Sequence, residues 1–262
     1  MTETTERFVD SADGTRIAVY EQGDPDGPTV VLVHGWPDSH VLWDGVAPLL
    51  AEGYRVIRYD NRGVGKSAVP QHHSSYTMAR FADDFDAVAR AVGGGRPVHV
   101  LAHDWGSVGV WEYLARPGSA DVVASFTSVS GPSGDHINRF VIDGLKRPYR
   151  PRRFLRALGQ LGRLSYMAAF STPVLAPAAV RVAFARGGMR RRLLADGIAP
   201  ENIHHSRALV GDAVNSMKVY RANFFPGLRH ARTDHRVDVP VQLIVNTRDP
   251  YVRSYSYADI PN

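Results

Sequence analysis

The chain has 262 residues, of which 44% are hydrophobic and 22% charged, with a formal net charge of +5. This composition excludes a disordered protein and is typical of a globular protein with one large core. The absence of cysteine excludes disulfides and thiolate chemistry, and no apolar run reaches the roughly 18 to 20 residues that a membrane-spanning helix needs. The polar N-terminus lacks the basic and apolar regions of a secretory signal, so we expect a cytoplasmic protein.

The first half of the chain alternates short β-like runs with helical patterns. This alternation predicts a mostly parallel sheet with helices on both faces. Asp13-Gly14 predicts a hairpin between the first two strands. Apolar periodicity predicts a helix over residues 77–92, with Thr77 as its N-cap. Further strands are predicted at residues 29–33, 55–60, 98–102, 122–129 and 239–245.

Residues 135–235 lose the strand pattern and are rich in Arg, Ala, Leu and Pro. They predict several short helices inserted between two strands of one sheet. We therefore divide the chain into a core of residues 1–134 and 236–262 and a helical lid of residues 135–235.

Positive charge is concentrated in this lid. From Arg139 to Arg192 thirteen Arg or Lys residues stand against one acid, Asp143, so this segment carries +12 and the remainder −7. Two interpretations stay open: a solvated lid surface, or a face that meets an anionic partner. Apolar residues between the arginines favour a lid over an apolar pocket, with a lipid-like substrate or peripheral contact with an anionic membrane as a hypothesis. These residues are Leu155, Leu158, Leu161, Leu164, Phe170 and Val174.

Residues 60–67, Asp-Asn-Arg-Gly-Val-Gly-Lys-Ser, end like a phosphate-binding loop. That motif needs a glycine where Asp60 stands, so we expect a glycine turn and no nucleotide site. We predict no nucleic-acid partner, no cofactor and no metal, and the sequence makes no prediction of oligomeric state.

The strongest chemical signal follows the strand that ends at Ala102. His103-Asp104-Trp105-Gly106 leads directly into a helical pattern, which is the strand–turn–helix setting of a nucleophile elbow. Ala102 and Gly106 supply the small residues that the strained turn requires, with Asp104 as the nucleophile. Ser107 is rejected as a rival because its elbow would need a small residue where Trp105 stands. The alternative for Asp104 is a simple helix N-cap.

An aspartate nucleophile narrows the reaction. Its carboxylate would give a reactive anhydride with an acyl carbon but a stable ester with an sp³ carbon. Epoxides and alkyl halides are therefore the expected substrates. The loop His34-Gly35-Trp36-Pro37 follows an earlier strand, where an oxyanion hole is expected, so we assign that role to the backbone N–H groups of Trp36 and Trp105. We assign His34 and Pro37 to substrate binding.

These motifs, together with residues 60–67 and Ser107, resemble the landmarks of the α/β-hydrolase-fold epoxide hydrolases over nearly the whole chain. The resemblance implies that fold with an inserted lid, and epoxide opening to a diol through an ester on Asp104. It also implies two lid tyrosines that assist the epoxide oxygen. Tyr166, in Ser165–Pro173, and Tyr220, in Met217–Phe224, match those segments.

The resemblance further implies an Asp after a late strand that orients a water-activating His. Asp249 fits the first role, with a turn-forming Asp before Pro250 as the alternative. No histidine follows Asp249, so we expect the last strand, last helix and base His to lie beyond Asn262. Similar hydrolase domains in some actinobacterial proteins precede a short-chain dehydrogenase domain.

The leading prediction is an epoxide hydrolase acting on a small apolar epoxide. Two alternatives remain. A haloalkane dehalogenase shares the Asp-Trp elbow, although Trp36 and the lid tyrosines argue against it. A catalytically silent hydrolase-fold module of a larger protein is the second, because a fold does not guarantee activity.

Overall fold

The protein is described by a computed structural model over residues 4–227 and 236–257. A seven-stranded sheet forms its centre within these residues. The strands are β1 (Thr5–Asp10), β2 (Arg16–Gly23), β3 (Thr29–Val33), β4 (Arg55–Tyr59), β5 (Val98–His103), β6 (Val123–Val129) and β7 (Val241–Ile244). They lie in the order β1-β2-β4-β3-β5-β6-β7. The β1–β2 and β2–β4 pairs are antiparallel and the other pairs are parallel.

Helices cover both faces of the sheet. The core helices are α1 (Ala47–Leu50), α2 (Met78–Gly93) and α3 (Asp104–Leu114). Successive residues of β3 point to opposite faces, so Val31 packs in the apolar cluster under α2 and α3 while Leu32 packs with Trp43 on the other face. Burial on both faces explains why β3 is a continuous apolar run. The predicted class, a mostly parallel α/β sheet with helices on both faces, is confirmed.

Short helices follow β6 before the chain returns at β7. They are α4 (Gly134–Leu145), α5 (Pro151–Leu164), α6 (Tyr166–Phe170), α7 (Leu175–Phe184), α8 (Gly188–Ala195), α9 (Leu209–Ser216) and α10 (Lys218–Gly227). Val180, Ala213 and Tyr220 from this set form one apolar cluster with Tyr76 and Trp105 of the sheet-bearing part. The helices therefore pack directly over the end of β5. The limits of the lid at residues 135 and 235 stay a prediction.

The N-terminus of α2 differs from the sequence prediction. Thr77 precedes α2 as expected, but its side chain makes no capping hydrogen bond. Instead, the Met78 N–H donates to Asn223 Oδ1 at 2.9 Å, and Asn223 Nδ2 donates to the Tyr76 carbonyl at 2.8 Å. A residue of α10 thus satisfies the helix end that Thr77 was expected to cap, and this contact fastens α10 to α2.

In residues 4–227 and 236–257, no single helix is long and apolar enough to cross a membrane. One bent pair, Pro151–Phe170 with Leu175–Ala195, passes on length and composition alone, with an angle of 97° between its two parts.

Candidate active site

Asp104 lies at the junction of β5 and α3 with a φ of 50°, a left-handed backbone that is rare outside glycine. Close neighbours make this turn feasible only with small residues. A Cβ on Gly35 would lie 2.5 Å from Asp104 Oδ1, and one on Gly106 would collide with the His34 carbonyl. A Cβ on Gly131, which sequence reasoning missed, would collide with the Asp104 carbonyl. The strand–turn–helix geometry of the predicted elbow is therefore present.

The Asp104 carboxylate faces the loop after β3. The Trp36 backbone N–H donates to Asp104 Oδ1 at 2.8 Å, and the Trp105 backbone N–H also hydrogen-bonds to this carboxylate. His103 stands at the N-cap position of α3 and Asp104 is the first residue of the helix, so Asp104 does not take the N-cap position of the alternative interpretation. The two N–H groups that we predicted for an oxyanion hole thus converge on one carboxylate.

Burial raises the pKa of Asp104 above its ordinary value. Interaction with His103 and the two backbone N–H bonds lower the pKa, whereas the negative charge of Asp249 raises it. Because burial dominates, the surroundings of Asp104 favour its uncharged form. Such surroundings suit a carboxylate that becomes a neutral ester.

The rival nucleophile is occupied elsewhere. Ser107 is fully buried, and its hydroxyl lies 2.6 Å from the Gly131 carbonyl and 2.8 Å from the Ser128 hydroxyl. These bonds tie α3 to the end of β6. The structure therefore agrees with the rejection of Ser107.

Two residues assigned to substrate binding lie in the interior of the loop after β3. The His34 side chain is buried, with Nδ1 2.9 Å from the Gly35 carbonyl and Nε2 accepting the Asn61 N–H at 2.9 Å. Burial lowers the pKa of His34 to about 4. Pro37 is also buried, behind a cis Trp36–Pro37 peptide bond, and does not line the cavity beside Asp104. His34 holds the loop in place through these bonds, and the assignment of His34 and Pro37 to substrate binding stays a prediction.

Tyr166 and Tyr220 lie together in an aromatic cluster next to the elbow. Their ring centroids are 5.9 Å apart, and the Tyr220 ring lies 5.4 Å from that of Trp36 and 5.3 Å from that of Trp105. Phe170, another residue not assigned from the sequence, packs edge-on to Tyr220 at 5.1 Å. The two predicted tyrosines are thus adjacent, although α6 and α10 are separated by three other helices.

The phenols of this cluster are held in their neutral form. Burial is the main cause that raises the pKa of both Tyr166 and Tyr220, and the charge of Asp104 raises both further. A hydrogen bond between the two tyrosines lowers the pKa of Tyr166, and one with Trp105 lowers that of Tyr220. A neutral phenol can donate a hydrogen bond and a proton.

A cavity of about 1460 Å³ opens beside the elbow. Asp104, Trp105 and Tyr166 line it, together with apolar side chains of α3, α4 and β7 such as Val108 and Leu243. Tyr220, which is buried, and Trp36, which is half-buried, do not line the cavity. The cavity gives an apolar molecule access to the predicted nucleophile.

Asp249 occupies the turn after β7. Its Oδ1 accepts the Tyr251 N–H at 2.7 Å and the Val252 N–H at 3.0 Å, which is the turn-forming role that we considered as the alternative. Its charge still reaches the site, since it raises the pKa of Asp104 and of Tyr257. Orientation of a base by Asp249 stays a prediction.

Asp38 directly follows the loop motif and was assigned no role from the sequence. Burial raises the pKa of Asp38 to about 6, while His103 lowers and Asp104 raises it. His205 Nδ1, from the segment before α9, lies 3.9 Å from Asp38 Oδ1. An acid directly after a buried loop motif was the signal that could have identified this residue. Across the described part of the chain, no group of three or more His, Asp or Glu is arranged to hold a metal ion.

The sequence of this chain is similar to those of several known proteins. Residues 28–262 match the α/β hydrolase fold family. The chain is 63% identical over 259 residues to a Mycobacterium tuberculosis protein named "Probable oxidoreductase EphD", covering 98% of this chain and 44% of the relative. It is 40% identical over 130 residues to epoxide hydrolase A of the same organism, covering 49% of this chain and 39% of the relative. The chain thus spans less than half the length of these curated relatives.

Solved epoxide hydrolases share the fold. The enzyme from Bacillus megaterium superposes with a TM-score of 0.75 at 18% identity, covering 97% of this chain and 87% of that one. The enzyme from Vigna radiata superposes with a TM-score of 0.71 at 25% identity, covering 98% and 85%.

Proposed function

This chain belongs to the α/β hydrolase fold family and has epoxide hydrolases among its homologues, and from that premise we propose that it opens epoxides through an ester on Asp104. The observation that carries the proposal is the Asp104 carboxylate itself. It stands at a strained turn, accepts two backbone N–H bonds, borders an apolar cavity and lies beside two neutral tyrosines.

The first step forms one bond and breaks one. A carboxylate oxygen of Asp104 attacks an epoxide carbon, the carbon–oxygen bond of the ring breaks, and the epoxide oxygen takes a proton from the tyrosine pair. Tyr166 lines the cavity and is placed to act directly, whereas the buried Tyr220 acts from behind it. The phenol is needed because an alkoxide is too basic to leave unaided.

The second step returns the carboxylate. Water adds to the ester carbonyl of Asp104, the resulting oxyanion is held by the N–H groups of Trp36 and Trp105, and the bond between the carbonyl carbon and the alkyl oxygen breaks. One proton of the water goes to that alkyl oxygen, which completes the diol, and the other returns to the tyrosine pair, so that the carboxylate and both phenols are restored. One water oxygen is retained in Asp104. We propose that a histidine beyond Asn262, oriented by Asp249, activates this water. His34 is unsuitable as the base because both of its ring nitrogens are engaged.

The hydrogen bonds of the Trp36 and Trp105 indole groups favour an epoxide over an alkyl halide as the substrate. A departing halide would need a free N–H donor, and Trp105 is the candidate that a dehalogenase would use. The Trp105 side chain hydrogen-bonds to Tyr220, and Trp36 Nε1 donates to the Ala213 carbonyl at 2.9 Å. Both indoles therefore have partners within the protein.

Intact-mass spectrometry after incubation with styrene oxide tests the proposal. We expect one added epoxide mass, its loss in Asp104→Asn and its retention in Ser107→Ala, which removes the rejected nucleophile. Label from ¹⁸O water should enter Asp104 where turnover occurs. Absence of an adduct with any epoxide would favour the catalytically silent module, and halide release from a chloroalkane would favour a dehalogenase.

The name and length of the longer Mycobacterium tuberculosis relative support a proposal about the domains of the whole protein. Its name contains "oxidoreductase", and this chain covers 44% of it. Both facts support the expectation that a short-chain dehydrogenase domain follows this hydrolase domain. Sequencing the reading frame past Asn262 tests this, and a stop codon there would refute it.

A further inference from the structure

Helix α7 is apolar on two faces. Its inner face, with Ala176 and Val180, is buried in the cluster that contains Tyr220. Val174, directly before the helix, Leu175 and Val182 lie outside this cluster and are 72%, 73% and 78% exposed. Helices that are apolar all round are normally buried. The outer face of α7 therefore exposes apolar surface without a covering element in the described part of the chain.

The chain around this face is strongly basic. Residues 174–198 contain five arginines and one acid, Asp196, for a net charge of +4. All five arginines are exposed, and α8, which carries three of them, packs against α7. We call this the α7–α8 surface, formed by Val174, Leu175, Val182, Arg181, Arg186, Arg190, Arg191 and Arg192.

The combination of apolar and cationic side chains favours one kind of partner over the others. A second copy meeting this face by two-fold symmetry would bring two surfaces of +4 together, which is unfavourable. A solvated surface explains the arginines but leaves three large apolar side chains in water. An anionic lipid surface satisfies both, since it offers phosphate groups above an apolar layer.

We propose that the α7–α8 surface docks the protein on an anionic lipid surface. Val174, Leu175 and Val182 enter the boundary between headgroups and acyl chains, and the arginines bind headgroup phosphates. This contact lies outside the proposed reaction and does not depend on Asp104, so either proposal can fail while the other stands.

Co-sedimentation with vesicles tests the charge requirement. Vesicles of phosphatidylcholine and phosphatidylglycerol in equal amounts should bind the chain, and vesicles of phosphatidylcholine alone should not. Reversing Arg190, Arg191 and Arg192 to Glu should weaken binding on the order of a hundredfold, since each basic residue at such a membrane contributes roughly a fivefold factor. The matched control reverses three exposed cations of the sheet-bearing part, Lys66, Arg90 and Arg96, and should retain most of the binding.

A fluorescent probe tests the apolar contact. The chain contains no cysteine, so Val182→Cys provides a single labelling site for an environment-sensitive dye. Leu49→Cys on α1 is the control, because Leu49 is 70% exposed but lies far from the arginines in the sequence. Anionic vesicles should shift the emission of the Val182 probe to the blue and leave that of the Leu49 probe unchanged.

Three results would overturn the proposal. They are equal binding to neutral and anionic vesicles, equal loss in the two charge-reversed variants, and equal probe shifts at both positions. Sedimentation velocity without lipid supplies another: a dimer disrupted by Val182→Ser would assign the surface to a second copy. Circular dichroism should show unchanged folding in every variant, because all substituted side chains are exposed.

Discussion

At the scale of single residues, Asp104 combines two opposing influences. Burial raises its pKa, and two backbone N–H groups stabilise its charged form. The tyrosines beside it are shifted upward as well, which keeps them protonated at higher pH than free tyrosine. The nucleophile is charged only above its raised pKa and its acid partners are neutral only below theirs, so these two pKa values bound the pH window of the reaction.

This pH window predicts how the rate of ester formation depends on pH. Attack requires the ionised carboxylate, so the single-turnover rate should fall as the pH decreases through a midpoint above 3.8, the ordinary pKa of aspartate. It should not fall as the pH rises toward 10.0, the ordinary pKa of tyrosine. Intact mass measured against time and pH checks both limits. A loss of rate well below pH 10.0 would contradict the assignment of the tyrosines.

The raised pKa of Asp38 predicts that the free energy of unfolding depends on pH. Its folded pKa of about 6 exceeds its ordinary value of 3.8, so the folded state favours the neutral form. The stability linked to that form is fully present below pH 3.8 and is lost as the pH rises through about 6. Asp38→Asn should raise the free energy of unfolding by up to about 3 kcal/mol at about pH 8.

That gain should vanish below pH 3.8, and the exposed Asp26→Asn should show none of it. Urea unfolding at several pH values is the measurement. A gain that is independent of pH would assign the effect to packing instead of ionisation.

At the scale of elements, the position of α10 depends on a polar contact. Asn223 binds main-chain groups on both sides of Thr77, one as acceptor and one as donor. Lys218 Nζ adds a bond to the Pro70 carbonyl at 3.1 Å. Since Tyr220 lies one turn before Asn223, these contacts hold Tyr220 against Trp105.

Asn223→Ala should therefore impair the site as well as the fold. Two part-buried main-chain groups lose their partners, which should cost at most about 1–3 kcal/mol each. The rate of ester formation should fall at temperatures where the variant is still folded, and Asn223→Asp, which retains the acceptor, should restore part of it. Asn202→Ala is the exposed control. A variant that is less stable but alkylates Asp104 at the normal rate would show that α10 needs no such contact.

At the scale of the whole molecule, Arg62 joins distant parts of the chain. It is fully buried and binds Asp84 of α2 through Nε at 2.7 Å and Nη2 at 2.6 Å. Nη1 donates to Asp13 in the β1–β2 turn at 2.9 Å and to the Ser75 carbonyl at 2.7 Å. Asp84 is buried too, so each partner depends on the other for charge compensation.

Arg62→Ala should lower the free energy of unfolding by about 3–5 kcal/mol, because it leaves the Asp84 charge buried and unpaired. Adding Asp84→Ala should cost less than the sum of the single changes. The exposed pair of Arg90 and Asp86, 2.8 Å apart, is the control, and Arg90→Ala should cost less than about 1 kcal/mol. Urea unfolding of the double-mutant cycle measures the coupling, and strict additivity would contradict it.

Local pattern alone predicted the strands of the sheet and helices α2 and α3 in chain order. The hairpin at Asp13-Gly14, the buried run of β3 and the elbow at Asp104 were readable because turn chemistry, burial on two faces and small neighbours act within a few residues. The adjacency of Tyr166 and Tyr220 came instead from family resemblance, since no local rule brings α6 to α10.

Only the tertiary structure decided how individual polar atoms are used. Asn223 in place of Thr77 completes the end of α2, His34 supports its loop from within, and Asp38, whose side chain is 11% exposed, lies beside His205. These outcomes depend on groups that are far apart in the chain, such as Met78 and Asn223, which are 145 positions apart. A periodic pattern identifies the face that a residue occupies, whereas the partner of a buried donor or acceptor is set by which elements pack together.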